Sequence, residues 1–332
     1  MAGLTEREAM YCKAEEGGKV RCLLCPQVCE LSVGQSGLCR GRKNLGGKMV
    51  AVNYGQSIGA SFDPIEKKPL YHFRPGSRIV SLGPNSCNLA CFFCQNWDSS
   101  QQRCPTRFIS PAELYGLVQE QAQGGPRQVA FTYTEPFTWY EYIWDFAELA
   151  TDADIVLVTN GFVNPEPLEA LLPRVKAMNV DLKSIRDDFY KERCGGRLEP
   201  VLHTIRRAYE SKVHLEVTNL LIPGLNDSER DIADLVAFVA SVGKDIPLHF
   251  SAYRPAYKSE IPATPPATVL KACEAAAKSL DYVYAGNLWQ GGFSATHCPA
   301  CHDEVISASR RLTGIDGQGN CVHCGHRIYG VF

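Results

Sequence analysis

The sequence predicts an α/β protein: a partial (β/α)6 barrel between a small Cys-rich N-terminal module and a C-terminal module of the zinc-ribbon or rubredoxin-like type. Two observations carry that expectation. Between residues 77 and 286, six strand-like runs alternate with helical runs, the pattern of parallel strands joined by crossover helices. The chain also has 15 cysteines, most of them in tight C-x2-C or C-x3-C pairs near its two ends and at the first strand of the series. Such an odd count in tight pairs suits metal ligation better than a disulfide framework.

Length and composition agree with that outline. The 332 residues can hold one large α/β unit with small satellites, and a 45% hydrophobic, 21% charged chain has enough apolar side chains for a real core. A net charge of −2 with no long Lys/Arg run argues against a nucleic-acid surface. No apolar run approaches the roughly 20 residues of a membrane span. The first eight residues lack the apolar stretch of a secretory leader, so a reducing cytoplasm is the expected location.

In chain order, residues 1–50 carry Cys22, Cys25, Cys29 and Cys39 among many glycines. A segment so poor in apolar periodicity needs a metal to fold by itself. Four thiolates suit one zinc or one auxiliary iron–sulfur cluster equally. Residues 51–76 read as a connecting segment whose prolines argue against a long regular element. Strands then follow at 78–82, 128–133, 155–159, 177–182, 214–219 and 247–251. Helices lie at 111–118, 139–149, 165–172, 200–210, 228–239 and 268–280. Ser110-Pro111 and Asn164-Pro165 are helix starts, each an N-cap residue before a first-turn proline. In residues 287–332, the pairs Cys298/Cys301 and Cys321/Cys324 stand nineteen residues apart, a metal-ribbon spacing for zinc or iron.

The chemistry of a βα barrel sits at the C-terminal ends of its strands. The polar and thiol residues expected there are Cys87, Cys91 and Cys94, Glu135, Thr159, Asn160, Asp181, Lys183, Asn219 and His249. Cys87-Asn88-Leu89-Ala90-Cys91-Phe92-Phe93-Cys94 is the informative stretch. Zinc knuckles favour paired C-x2-C turns, whereas three thiols at C-x3-C-x2-C spacing can hold three irons of a [4Fe–4S] cluster. The fourth iron then stays open to a substrate or cosubstrate.

This loop resembles the signature of the radical S-adenosylmethionine (SAM) superfamily. The 77–286 segment resembles glycyl-radical-enzyme activating proteins of the pyruvate formate-lyase type. The whole chain from about residue 20 looks most like the radical SAM enzymes of the AmmeMemoRadiSam system. The matching pieces are Cys22-Leu23-Leu24-Cys25-Pro26, the 63–73 segment, Cys91-Phe92-Phe93-Cys94-Gln95-Asn96-Trp97 and Tyr133-Thr134-Glu135-Pro136. Thr159-Asn160-Gly161, Asp181-Leu182-Lys183 and the two C-terminal cysteine pairs complete the set. The resemblance implies that Cys87, Cys91 and Cys94 hold the cluster and that its open iron chelates SAM. It also implies that Phe93 packs near the adenine, that Glu135 holds the SAM amino group and that Lys183 lies near the SAM carboxylate. Val158 departs from the activating enzymes, which have Asp before Thr-Asn-Gly, so this resemblance does not by itself carry over their cation site or their substrate.

The implied activity is one-electron cleavage of SAM to methionine and a 5′-deoxyadenosyl radical that abstracts a substrate hydrogen. The implied partners are a low-potential donor, flavodoxin or ferredoxin, and AMMECR1-like and Memo-like proteins. The substrate stays open between a protein glycyl residue, as for an activating enzyme, and a small molecule. The rival from another class is a non-catalytic metal-binding adaptor whose cysteines all hold structural zinc.

Overall fold

A computed structural model describes residues 7–288 and 292–332. Residues 1–6, on which the expectation of no secretory leader partly rests, lie outside the described residues. The centre is a nine-stranded sheet. Its order is Val283–Ala285, Leu248–Ala252, His214–Leu221, Ala177–Asp181, Asp154–Thr159, Gln128–Phe131, Arg78–Pro84, Gln56–Pro64 and Arg107–Phe108. The first seven in that order are parallel to their neighbours. All six strands read from the sequence are among them, and the short Val283–Ala285 adds a seventh.

Parallel strands need both faces covered, and these are buried almost throughout: every residue of Gln128–Phe131 is, and so are seven of the eight in His214–Leu221. The helices between them present apolar stripes at helical spacing. In Glu199–Glu210 the buried residues are Val201, Thr204, Ile205 and Ala208. The Pro111–Ala122 helix opens with a capping box, in which Glu113 N donates to Ser110 Oγ and Ser110 N donates to Glu113 Oε2.

The 51–76 segment corrects the expectation of an irregular connector. Gln56–Pro64 is a nine-residue strand, antiparallel to Arg78–Pro84, with an irregular register between Ser57 and Ala60. Pro64 is its last residue, where a missing N–H does least harm, and Pro69 and Pro75 fall beyond it. The chain then crosses one face of the parallel sheet. Asn179 Nδ2 donates to Pro69 O at 2.8 Å, and the backbone N–H groups of Tyr71 and His72 donate to the buried Glu216 carboxylate at 3.0 and 2.8 Å. A segment with little periodicity is thereby packed into the centre by backbone groups that sheet side chains satisfy.

The N-terminal residues build a three-stranded antiparallel sheet, Cys12–Ala14, Val20–Cys22 and Glu30–Leu31, and a hairpin of Arg42–Leu45 with Lys48–Ala51. The hairpin turns on Gly46 and Gly47, both at positive φ. Val20, Leu24, Leu31 and Met49 belong to the same apolar cluster as the central sheet. Arg42 and Glu141, each 1% exposed in its side chain, form a buried ion pair between the hairpin and the Tyr140–Leu149 helix. At the other end, Thr296–His297 and Glu304–Ile306 pair in a small hairpin. Cys298, Val305, Ile306, Cys321 and Ile328 pack there against Tyr71, Tyr282 and Tyr284.

Candidate functional site

The loops after the parallel strands close on one cavity of about 380 Å³, within the range of small-molecule sites. Every one of the seven parallel strands contributes to its wall, through Cys87, Tyr133, Asn160, Asp181, Thr218, Ser251 and Asn287 respectively. Cys91, Cys94, Phe93, Lys183, Pro69 and Leu220 complete the part of the lining that bears on the chemistry. A larger cavity of about 790 Å³ is lined by Asp154, Lys176, His214 and Tyr282, residues at the N-terminal ends of the strands. It is therefore on the wrong side of the sheet for strand-end chemistry.

The cysteine loop leaves Arg78–Pro84 through a tight passage. A Cβ at Gly83 would stand 2.1 Å from Thr132 O, so this position has room only for glycine. Beyond it, Ala90 N donates to Cys194 O at 2.7 Å and Phe92 N to Arg193 O at 3.1 Å. Asn88 donates to Phe162 O and accepts from Asn160 Nδ2 at 2.9 Å, and the same Asn160 amide reaches Cys87 Sγ at 3.8 Å. The loop is thus held by backbone and amide groups, which leaves the three thiols facing the cavity. Burial pushes the Cys87 and Cys94 thiols up in pKa. Cys91 is pushed well up by a hydrogen bond with Cys194 and by burial.

Across the cavity, Lys183 Nζ pairs with Asp181 Oδ2 at 3.2 Å, and Tyr190 Oη accepts from Lys183 N at 3.0 Å. Burial opposes the Lys183 charge, but Asp181 and the nearby Cys91 and Cys194 outweigh it and raise its pKa well above the ordinary value. Phe93 is a buried wall residue, in tilted contact with Phe189. The cavity thus brings Cys87, Cys91, Cys94, Phe93, Asn160, Asp181 and Lys183 together.

Four other candidates lie behind the wall. Glu135 is buried; Oε1 accepts from Phe137 N and Thr159 Oγ1 at 2.9 and 2.8 Å, and Oε2 accepts from Asn160 N at 2.8 Å. Burial, only partly offset by those hydrogen bonds, pushes its carboxyl up to about 7. Thr159 is engaged in the same contact. Asn219 Nδ2 donates to Leu182 O at 2.7 Å. His249 is wholly buried two residues deeper than Ser251, with Nε2 2.6 Å from Glu216 Oε2 and its ring edge-on to Tyr71. Glu135 and Thr159 position the Asn160 turn, while Asn219 and His249 tie strands together.

Two groups stand at the site without having been singled out from the sequence. Asp63 Oδ2 accepts from Lys68 Nζ at 2.9 Å and from Tyr133 Oη at 2.8 Å. These bonds hold its carboxyl below the usual range despite burial. They brace Tyr133, a wall residue at φ +70° that Asn96 also grips through its carbonyl. Cys194 is the other, fully buried beneath Cys91. Asp63 opens the 63–73 segment of the resemblance, but its partner Tyr133 is distant in sequence, and no local pattern marks Cys194.

The three cysteine groups differ in closure. Cys298, Cys301, Cys321 and Cys324 bring their sulfurs within 4.8 Å of one another, with Cys298–Cys324 at 3.5 Å and Cys301–Cys321 at 3.6 Å. Four thiolates about 2.3 Å from one tetrahedral metal stand about 3.8 Å apart, so this set fits a single metal ion. Among the described residues no other group of three or more potential ligands converges so closely.

The model for the radical SAM superfamily matches residues 83–236, the span from the cysteine loop through the fifth parallel strand and the helix after it. Residues 83–236 are therefore similar to the radical SAM superfamily. An uncharacterized protein of Methanocaldococcus jannaschii is 38% identical over 334 residues, covering 97% of this chain and 98% of its own length. A GTP 3′,8-cyclase of Clostridium perfringens is 26% identical over 157 residues, and the match spans about half of each chain, 46% of this one and 48% of the cyclase. Among solved structures, a radical SAM methyltransferase from Sphaerobacter thermophilus aligns with a TM-score of 0.50 at 15% identity, over 62% of this chain and 65% of its own; the likeness is one of fold. The matched radical SAM model implies a [4Fe–4S] cluster and SAM, and three thiols on one wall of an open cavity are a donor set that fits the cluster. Among the described residues, no helix is long and apolar enough to cross a membrane.

Proposed function

We propose that the protein is a radical SAM enzyme whose cluster is held by Cys87, Cys91 and Cys94. The observation that carries this reading is that all three thiols line one cavity with Phe93, Asn160, Asp181 and Lys183. When bound, the cluster would supply the electron that splits SAM into methionine and a 5′-deoxyadenosyl radical, which takes a hydrogen atom from the substrate. The protein's own part is to bind and orient. Lys183, kept cationic by Asp181, faces the SAM carboxylate; Phe93 offers an apolar wall to the adenine; Asn160 fixes the loop at Cys87. Glu135 acts through Asn160 by holding its backbone N–H.

We propose further that the protein belongs to the AmmeMemoRadiSam group, with AMMECR1-like and Memo-like proteins as partners and reduced flavodoxin or ferredoxin as electron source. Motif resemblance supports the first part, and the one-electron requirement supports the second. All 15 cysteines are free, which suits a reducing cytoplasm.

The test is anaerobic reconstitution followed by dithionite reduction with SAM. The wild type is expected to form 5′-deoxyadenosine and to change its electron paramagnetic resonance (EPR) spectrum when SAM is added. Joint replacement of Cys87, Cys91 and Cys94 by Ala should abolish both and remove about four irons. The fold should survive, because apolar burial supplies most of the stability. Undiminished SAM cleavage by that variant sinks the reading.

A further inference from the structure

Four of the five cysteines of the N-terminal region surround a small enclosed cavity that shares a wall with the catalytic loop. Cys22, Cys25, Cys29 and Cys39 line it together with Arg42 and Asn88. The group is compact: a Cβ at Gly37 would lie 3.8 Å from Cys29 Sγ and 3.9 Å from Cys39 Sγ. Yet no three of these sulfurs come within 4.8 Å of one another, whereas the four C-terminal sulfurs do. A single zinc draws its thiolates to about 3.8 Å apart. A cubane cluster puts each thiolate on a different iron, and its ligands must stand wider. Among the described residues Cys87, Cys91 and Cys94 do not converge within 4.8 Å either. Within one molecule, then, one cysteine set has the dimensions of a single-metal site and two do not.

Arg42, 1% exposed, stands in the same wall, donates to Met10 O at 2.6 Å and pairs with Glu141, so an anionic thiolate-ligated group of either kind is accommodated beside it. The position is telling as well. Asn88, in the cavity wall, directly follows Cys87, about 3.8 Å away between Cα atoms. Asn160 Nδ2 lies 2.9 Å from Asn88 Oδ1 and 3.8 Å from Cys87 Sγ, and Gln27 Nε2 donates to Asn88 O at 3.0 Å.

We propose that Cys22, Cys25, Cys29 and Cys39 bind a second [4Fe–4S] cluster, not zinc, seated one residue from the catalytic loop to pass it an electron. A low-potential one-electron carrier would reduce this cluster from the 2+ to the 1+ state. The same electron then moves to the catalytic cluster and returns the first to 2+; no bond forms or breaks. The transfer rests on Cys87, Cys91 and Cys94 being cluster ligands, as proposed above, whereas the second cluster does not.

Acid-labile sulfide separates the cases, because neither zinc nor a lone iron in the ribbon brings any. The reconstituted full-length protein should contain about eight sulfides, and about four should remain after joint replacement of Cys87, Cys91 and Cys94 by Ala. The Cys25→Ser/Cys29→Ser variant should also keep about four; if it fails to fold, the first variant decides alone. No sulfide in that first variant overturns the second cluster. Four sulfides in the wild type, all surviving in that variant, would uphold it and remove the catalytic reading instead. For the transfer, full reduction should give an EPR spectrum broadened by coupling between the clusters and sharpened in either variant. Two narrow, independent signals in the wild type overturn the relay.

Discussion

Both carboxylate oxygens of Glu135 are already occupied by three donors, Phe137 N, Thr159 Oγ1 and Asn160 N. In Glu135→Gln, the amide nitrogen must confront an N–H donor on one side or the other. This variant is expected to lose about 1–3 kcal/mol of unfolding free energy in urea titrations and to weaken SAM binding only in proportion to the loosened Asn160. A variant as stable as the wild type that binds SAM tenfold more weakly would place the carboxylate on SAM itself. The place of Cys87, Cys91 and Cys94 at the cavity was legible from spacing, and that of Asp181 and Lys183 from the resemblance. Strand-end polarity was legible, but its direction was not. Along His214–Leu221, Thr218 and Leu220 face the cavity and Asn219 lies between them, turned to the other face by the two-residue period. His249 shares the face of Ser251 but sits about 7 Å deeper, where Glu216 takes it.

The C-terminal ribbon is joined to the centre by its last turn. Leu215 N donates to Tyr329 Oη at 2.9 Å, Val331 N to His72 O at 2.8 Å, and Arg74 N to Val331 O at 2.7 Å. The cysteine spacing predicted the metal set, and the sulfurs do converge. Its docking was not legible, because it depends on Tyr71, His72 and Tyr284, which carry no ribbon pattern. Likewise Gln56–Pro64 was hidden by Gly59 and Pro64, which read as loop residues until an antiparallel partner satisfies the backbone. Cys298→Ser with Cys301→Ser is expected to release one metal per chain and to make residues 292–332 sensitive to protease. SAM cleavage should fall severalfold without vanishing, since His72 loses its anchor while the cysteine loop keeps its own contacts. Limited proteolysis and metal analysis check the first part. Full activity in a ribbon shown to be unfolded would mean that the 69–73 crossing holds without it.

At the scale of the whole molecule, one buried polar network joins the sheet, the 63–73 crossing and the ribbon. Glu216 accepts from the backbone N–H groups of Tyr71 and His72 and meets His214 Nε2 and His249 Nε2, and its carboxyl is held well below the usual range by the two histidines despite burial. The His72 ring lies between Tyr329 O at Nδ1 and Tyr284 Oη at Nε2, both at 2.6 Å. Because the carbonyl only accepts, Nδ1 carries a proton, and burial favours the neutral ring, in which Nε2 accepts from Tyr284 Oη. Burial pushes its pKa down to about 4, with Glu216 opposing only in part. The sign follows from linkage: an unfolded histidine, titrating near 6.5, takes up its proton first as the pH falls. The stability that the neutral ring contributes is therefore present above about pH 6.5 and is lost progressively toward pH 4. Between pH 7 and pH 5 the loss from this residue should be about 2 kcal/mol. His72→Gln keeps a donor and an acceptor but cannot titrate, so its stability should fall by that much less over the same interval, whatever its stability at pH 7. Urea midpoints for both proteins at pH 7, 6 and 5 measure the difference. Parallel pH dependence would mean that the folded ring takes up its proton at the same pH as the unfolded one, with Tyr284 turned to donate to Thr296 Oγ1, 2.6 Å away.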